Sequence, residues 1–426
     1  MTAHALTRPR KPWQVVAASP CCRLCGAALT RSVVDLGATP LANSFVTPVQ
    51  AALGLDRPWP LHVRVCDDCL LTQVDTVVPA EAIFSDYAYF SSISSSWVEH
   101  ARRYAETMTR RFALHDTSLV LEVASNDGYL LRHFVAAGIP VLGIEPAGNI
   151  AVVARSHGVP TEISFFGSLT ARALATRGVQ ADLVVANNVL AHVPDIAGFV
   201  AGIAMVLAPN GVVTFEFPHL SRLLEDTQFD TIYHEHYYYL SLMVVERLLG
   251  AARLRAFDVE HLPTHGGSLR VFACHAASAL AEQPGLTAAH AQELAAHIDQ
   301  AAAYGDFAAR VARVQQGFRA FLADRRAAGR RVAGYGAAAK GSTLLNTCGI
   351  AAADIACIAD RSPAKQGRLM PGCHIPIVSP ETLLRERPDD VVILPRNIAD
   401  EVARELAPLR DSGAQFWVVI PELRPV

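Results

Sequence analysis

The sequence predicts an α/β protein built on a doubly wound central sheet, with a metal-bound domain ahead of it and a second Rossmann-like unit behind it. Three observations predict this. Two C-x-x-C pairs, Cys22-Arg23-Leu24-Cys25 and Cys66-Asp67-Asp68-Cys69, fall in the first fifth of the 426 residues. Short apolar runs alternate with helix-period stretches between residues 118 and 217, and such alternation makes parallel sheets flanked by helices. A second alternation begins at residue 331. One core rarely grows to this length, so the chain divides into domains, with boundaries expected at 12–80, 81–285 and 286–426.

The cysteine pairs come first. Each C-x-x-C forms a knuckle that aims two sulfurs at one cation, and Cys22, Cys25, Cys66 and Cys69 together make a four-thiolate zinc site. Four protein ligands close a tetrahedral shell and leave no position for water or substrate, so the zinc is expected to be structural. A redox pair or two disulfides is the competing reading of the same residues. Cys21 adjoins the motif, but only Cys22 has the x-x spacing to Cys25. Up to about residue 78 the sequence lacks long helical periodicity and suits short strands around the metal.

Apolar positions then recur at helical spacing over 97–112, and 118–123 reads as a buried strand entering a polar, glycine-ended turn. Further strands are expected at 141–145, 182–186 and 211–217, the last after the turn Ala208-Pro209-Asn210. Residues 287–328 are Ala-rich, nearly free of glycine and helical by pattern, as one long helix or two shorter ones. The second unit has strands expected at 331–334, 355–359, 391–394 and 416–420.

Lys and Arg total 37 against 40 Asp and Glu, a formal charge of −3. That balance gives no electrostatic footprint for nucleic acid. No apolar run reaches the roughly 18 residues a membrane span needs, and the N-terminus makes a poor signal peptide. A cytoplasmic monomer without nucleic-acid or membrane partners is the expectation, and the thiolates suit a reducing compartment.

In a doubly wound sheet the ligand sits beyond the carboxyl ends of the strands, against the first turn. Here that turn is Ala124-Ser125-Asn126-Asp127-Gly128. Only Gly128 remains of the usual glycine set, which crowds a dinucleotide pyrophosphate but suits S-adenosylmethionine, a cofactor without phosphates. Glu145, at the end of the second strand, is placed to accept from ribose hydroxyls. Glu122 with Ser125, Asn126 and Asp127 can hold the cationic amino-acid end. Asn187 and Asn188 follow a later strand and would lie near the transfer site.

Tyr233-His234-Glu235-His236 is the densest group of proton-transfer side chains in the chain. A histidine beside a carboxylate can serve as a general base near neutral pH. Consecutive residues cannot all face one cleft, and the pattern alone leaves His234 and His236 both open. Tyr87, Tyr89, His192 and His265 are further candidates.

In the last third, Gly334-Tyr335-Gly336-Ala337-Ala338-Ala339 matches G-x-G-x-x-A after a strand, with Asp360 about 20 residues on. Alone this is a dinucleotide fingerprint, and an NAD-dependent oxidoreductase is the rival reading. Lys340 and Ser342 continue the turn in a way suited to a phosphate instead, and Arg361 and Lys365 can hold the same anion.

These blocks together resemble the zinc-containing C-methyltransferases that act on nucleotide-linked deoxysugars in antibiotic biosynthesis. The resemblance runs through the C-R-x-C-G start at Cys22 and through residues 36–45, 65–69, 122–128, 187–195, 233–236, 265–270 and 334–340. It implies a zinc domain, a class I methyltransferase-like domain for S-adenosylmethionine and a C-terminal Rossmann-like domain, together enclosing a dTDP-4-keto-deoxysugar. It also implies methylation of the carbon next to the ketone, typically C-3′, with His236 as the base. Glu235, Tyr233, Tyr87 and His192 would orient the base or hold the enolate. Tyr89, His265, Gly334, Tyr335, Gly336, Lys340, Ser342, Arg361 and Lys365 would meet the nucleotide-sugar. Methylation at C-5′ is the alternative within the same chemistry.

Overall fold

The computed structural model describes residues 20–84, 91–93 and 95–426, so Tyr87 and Tyr89 lie outside the described residues. The N-terminal domain is an antiparallel sheet of β1 (Arg31–Thr39), β2 (Trp59–Val65) and β3 (Thr72–Val74). Two knuckles sit at its edge. In the first, the Gly26 amide donates to the Cys22 carbonyl at 2.9 Å, and in the second the Leu70 amide donates to the Cys66 carbonyl at 3.0 Å. Both turns close through a residue in the left-handed region, Gly26 at φ +79 and Leu70 at φ +62. Glycine takes that conformation freely, whereas leucine is strained by it.

The knuckles bring all four sulfurs within 4.8 Å of one another. Cys22 Sγ lies 3.4 Å from Cys69 Sγ, and Cys25 Sγ lies 3.4 Å from Cys66 Sγ. Sulfurs at the usual zinc bond length stand about 3.8 Å apart in a tetrahedron, so the cluster fits that ion. The bond between Cys22 and Cys69 holds the first thiol low and drives the second up, so without a metal the two do not ionise together. Only a cation in their midst lets all four ionise together.

The central sheet carries β4 (Val120–Val123), β5 (Val141–Ile144), β6 (Thr161–Glu162), β7 (Ala181–Asn187) and β8 (Leu207–Pro218), all parallel. A later strand, β9 (Tyr238–Tyr239), leaves this region and pairs with β3, Tyr239 opposite Thr72, as the fourth strand of the zinc sheet. β10 (Leu254–Leu262) and β11 (Ser268–His275) then complete the central sheet in the order β10-β11-β8-β7-β4-β5-β6. The alternating pattern predicts parallel strands throughout, but β11 runs antiparallel to both its neighbours, β8 and β10, since only a short turn joins it to β10.

β4 is flanked by β5 on one side and β7 on the other, so the order reverses at its carboxyl end. That is where a doubly wound sheet opens a crevice. The turn that leaves β4 is unusually tight, with Ala124 at φ +56, Asn126 at φ +49 and Gly128 at φ +74. A Cβ on Gly128 would meet Val159 Cγ2 at 2.9 Å.

The Ala-rich stretch is two helices, Pro284–Ala295 and Phe307–Ala327. The C-terminal sheet follows with β12 (Val332–Tyr335), β13 (Ile358–Ala359), β14 (Ile377–Val378), β15 (Asp390–Ile393), β16 (Gln415–Val418) and β17 (Arg424–Pro425). Its order is β14-β13-β12-β15-β16-β17, with β17 alone antiparallel. β12 is a second reversal point. Helix Ala339–Thr347 leaves it and reaches the central domain, where Thr343 Oγ1 donates to the Ile232 carbonyl at 2.9 Å.

Replacing Cys66 with serine removes one of four ligands. Cys66→Ser is expected to lose stoichiometric zinc and most soluble folded protein, as read by metal analysis and thermal melting. A stable, zinc-free variant would show that the cluster does not need its metal. Gly128→Ala places a methyl against Val159 in a left-handed turn and is expected to cost about 1–3 kcal/mol, visible as a lowered melting temperature with weaker S-adenosylmethionine binding.

Candidate active site

A cavity of about 540 Å³ lies where the carboxyl ends of the central and C-terminal sheets face each other. All three regions line it, through Asn43 of the zinc domain, Asn126, Glu145, His192 and His236 of the central domain, and Lys340 of the C-terminal domain. No helix among the described residues is long and apolar enough to cross a membrane.

At one end the cavity meets the turn after β4. Glu145 accepts from the Asn126 amide at 3.0 Å and from the Ala147 amide at 2.9 Å. The Asn126 side chain accepts from the Ser91 amide at 2.9 Å, and Asp127 accepts from the Ser92 amide at 3.2 Å. Glu122 is buried nearby, and its Oε2 has no hydrogen-bond partner among the described residues. Burial pushes its carboxyl well above the usual range, and the neighbouring Glu145 and Asp127 push it further. Burial raises Glu145 as well. Three crowded acids, with Glu122 Oε2 and Asp127 Oδ1 unused among the described residues, fit a cationic ligand, and S-adenosylmethionine carries both a sulfonium and an ammonium group.

Asn187 and Asn188 border the same end. Asn187 Nδ2 donates to Glu216 Oε1 at 3.1 Å, while its Oδ1 accepts from Thr214 Oγ1 at 3.2 Å, which fixes its amide. Burial opposes ionisation of Glu216, but the bond from His100 and the charge of Arg270 overcome it and hold that carboxyl low. Ser125 is fully buried, and its Oγ has no hydrogen-bond partner among the described residues.

The other end is a ring of imidazoles and phenols. His236 packs against Tyr233 at 4.1 Å and edge-on to His192 at 4.7 Å between ring centres. His236 Nδ1 donates to the Thr231 carbonyl at 2.7 Å. That bond fixes the proton on Nδ1 and leaves a lone pair on Nε2. Burial, followed by the charge of His192, holds His236 well below the ordinary histidine value. Burial likewise pushes His192 down to about 4 and His265 down to about 4. Glu235 also lines the cavity and accepts from Asn43 Nδ2 at 2.7 Å. His234 does not line it. Its Nε2 donates to the Trp59 and Pro60 carbonyls at 3.3 and 3.2 Å, which builds it into the contact with β2.

Of the nine residues expected to meet the nucleotide-sugar, His265, Lys340 and Lys365 line the cavity. Lys340 Nζ donates to the His265 carbonyl at 3.1 Å, and burial lowers its ammonium to about 8. Lys365 donates to the Ala337 carbonyl at 2.8 Å and to Asp360 at 3.3 Å. Arg361 is engaged elsewhere, paired with Glu405 and, at 3.2 Å, with Glu401. Tyr335 turns the same way, donating to Glu405 at 2.7 Å. Ser342 is buried within its own helix, beside Asn346. Gly334 and Gly336 serve packing, since added Cβ atoms would stand 2.9 Å from Ile358 and 2.4 Å from Pro395.

The same geometry weighs against a dinucleotide in this turn. Asp360, the acid that would take a ribose, accepts from the Ala337 amide and the Ser362 amide, each at 2.8 Å, and from Lys365. Its carboxylate therefore holds the turn together.

Two contributors escaped the sequence reading. Asn43 lies in the 36–45 block yet gives no hint in sequence that it reaches across to Glu235. Trp97 lines the cavity with its ring 5.2 Å from His265 and 4.9 Å from His100. It reads as one apolar position of an amphipathic helix.

Comparison with known proteins gives three matching family models. They are a zinc binding domain over residues 22–84, a methyltransferase domain over 97–257 and a C-methyltransferase C-terminal domain over 263–421. The C-methyltransferase NovU of Streptomyces niveus is 37% identical over 405 residues, covering 95% of this chain and 96% of that protein. The ubiquinone biosynthesis O-methyltransferase of Bartonella bacilliformis is 28% identical over 95 residues, covering 22% of this chain and 38% of its own. A solved S-adenosylmethionine-dependent methyltransferase from Clostridium acetobutylicum overlaps 42% of this chain and 92% of its own, at 11% identity and a TM-score of 0.34. With the four-cysteine cluster, the acid-lined turn and near full-length identity to a C-methyltransferase, the chain belongs to the zinc-binding, S-adenosylmethionine-dependent C-methyltransferases.

Proposed function

We propose that the chain methylates a dTDP-linked 4-keto-deoxysugar on the carbon next to the ketone, C-3′ in the first instance, through an enolate. The observation that carries this is His236, a buried neutral imidazole with its tautomer fixed by Thr231, at the wall of a cavity that also holds the acid-lined turn. Bound S-adenosylmethionine supplies an electrophilic methyl group.

His236 Nε2 takes the C-3′ proton and becomes an imidazolium, still donating from Nδ1 to the Thr231 carbonyl. The C–H electron pair moves into the enolate, whose carbon would take the electrophilic methyl that the cofactor supplies, and the imidazolium loses its proton to solvent. A base of low pKa suffices only where the enolate is stabilised. Tyr233 and His192 flank the base, and Lys340 brings positive charge to the same cavity. Glu235, fixed by Asn43, orients the loop that carries His236. Lys340 and Lys365 also suit the pyrophosphate of the sugar nucleotide. We assign the protein to the cytoplasm, where thiolates stay reduced.

His236→Asn is expected to lower turnover by about 10²–10⁴-fold while calorimetry finds S-adenosylmethionine affinity unchanged. An unaltered rate removes His236 as the base. The assay is methyl transfer to dTDP-4-keto-6-deoxysugar in deuterated buffer, read by mass and ring position. Exchange and methylation at C-5′ in place of C-3′ would move the regiochemistry, and no transfer at all would remove the substrate.

The pH profile has a defined sign. His236 titrates below 6.5, so the active neutral form persists as pH falls through 6.5 and is lost only further down. Lys340 loses its charge as pH rises through about 8. Turnover is expected to stay flat from below pH 6.5 up to about 7.5, to fall on the alkaline side as Lys340 loses its charge, and to fall on the acid side only well below 6.5. An acid limb at or above 6.5 would contradict the buried neutral base.

A further inference from the structure

We infer that Arg23, the residue between the two sulfurs of the first knuckle, is a positioning residue for the loop that carries His236, and that the bound metal holds it in place. Its guanidinium makes a fork. One nitrogen donates to the Val74 carbonyl at 2.8 Å and to the Tyr237 carbonyl at 2.9 Å, and Nε donates to the Tyr238 hydroxyl at 3.2 Å. The guanidinium carbon also lies over the Tyr238 ring, 4.9 Å from its centre. Arg23 has no ion pair among the described residues. A half-buried guanidinium that spends its donors on two carbonyls from β3 and the start of β9 joins those strands more firmly than a neutral donor could.

The position of that joint matters. Tyr237 directly follows His236, and its amide donates to the Ala191 carbonyl at 2.8 Å, one residue before His192. Displacement at Tyr237 therefore shifts both imidazoles whose ring centres stand 4.7 Å apart. On the metal side, the Arg23 amide donates to Gln73 Oε1 at 3.1 Å, and Gln73 Nε2 donates back to Cys22 Sγ at 3.2 Å. Arg23, Gln73 and the Cys22 sulfur thus form one unit beside β3. A cation that draws the first knuckle onto Cys66 and Cys69 sets the guanidinium against β9.

The catalytic consequence rests on His236 being the base, whereas the structural one does not, and the test separates them. Zinc-replete wild type, Arg23→Ala and Arg23→Lys are compared by metal analysis, calorimetry with S-adenosylmethionine and backbone hydrogen exchange across residues 231–239. Arg23→Ala is expected to keep its zinc and cofactor affinity, while amides of 236–239 exchange about tenfold to a hundredfold faster. Turnover is expected to fall by a similar factor, with guanidinium ion in the buffer restoring both protection and rate. Unchanged protection in a zinc-replete variant overturns the inference. If Arg23→Ala loses its metal, Arg23→Lys decides, since lysine keeps the charge but not the fork, and wild-type protection there overturns it equally. Lost protection, with a wild type inactive on the sugar nucleotide, upholds the positioning role and rejects only the substrate.

Discussion

Four ionised sulfurs cannot share a space less than 5 Å across without a cation among them. This constraint orders the rest of the molecule. Two chain segments, separated by 40 residues between Cys25 and Cys66, are laid side by side by the pairing of β1 with β2, and a metal ties their sulfurs together there. That tie secures β1, β2 and β3, and the exposed edge of β3 receives β9 from the central region. Because β9 begins two residues after His236, a metal site outside the cavity becomes an anchor of the loop that lines it. Structural zinc and active-site geometry are therefore one problem in this chain.

The cavity is organised by charge. At the end that meets the turn after β4, Glu122, Asp127 and Glu145 crowd one another, and that strained turn keeps them there. At the far end stand neutral imidazoles and the buried Lys340, with its charge reduced by burial. A cationic methyl donor is drawn to the first, and under the proposed function the second takes the sugar nucleotide. The two order reversals, at β4 and at β12, aim both sheets at this gap. Neither sheet alone encloses it.

Much of this is legible in residue order. Cysteine spacing is a local property, so the metal cluster can be read directly, as can the turn after β4, whose single glycine argues against a pyrophosphate. What escapes is whatever depends on long-range pairing. His234 and His236 are equivalent in sequence, and only the approach of β2 turns one of them into a tie between domains. Arg361 and Asp360 have the right types and spacing for a phosphate and a ribose, yet each is consumed by neighbours, Glu405 in one case and the turn's own amides in the other. The antiparallel hairpin of β10 and β11 is hidden because its apolar runs look like those of any buried strand.

The exchange of a strand between sheets also bears on how such enzymes can be recombined. Domains that merely abut can be cut at a linker and joined to a relative's, but here the chain between β3 and β9 belongs to both partners. A hybrid joined near residue 80 must match a foreign β3 edge to Tyr238 and Tyr239, or it leaves that edge open. Open edges recruit other strands, and aggregation follows. The zinc domain and the loop of His236 must thus be exchanged together, whereas the C-terminal unit shares no sheet with either neighbour among the described residues and touches the zinc domain through the isolated bridge of Val46 and Leu369, a far smaller join to rebuild.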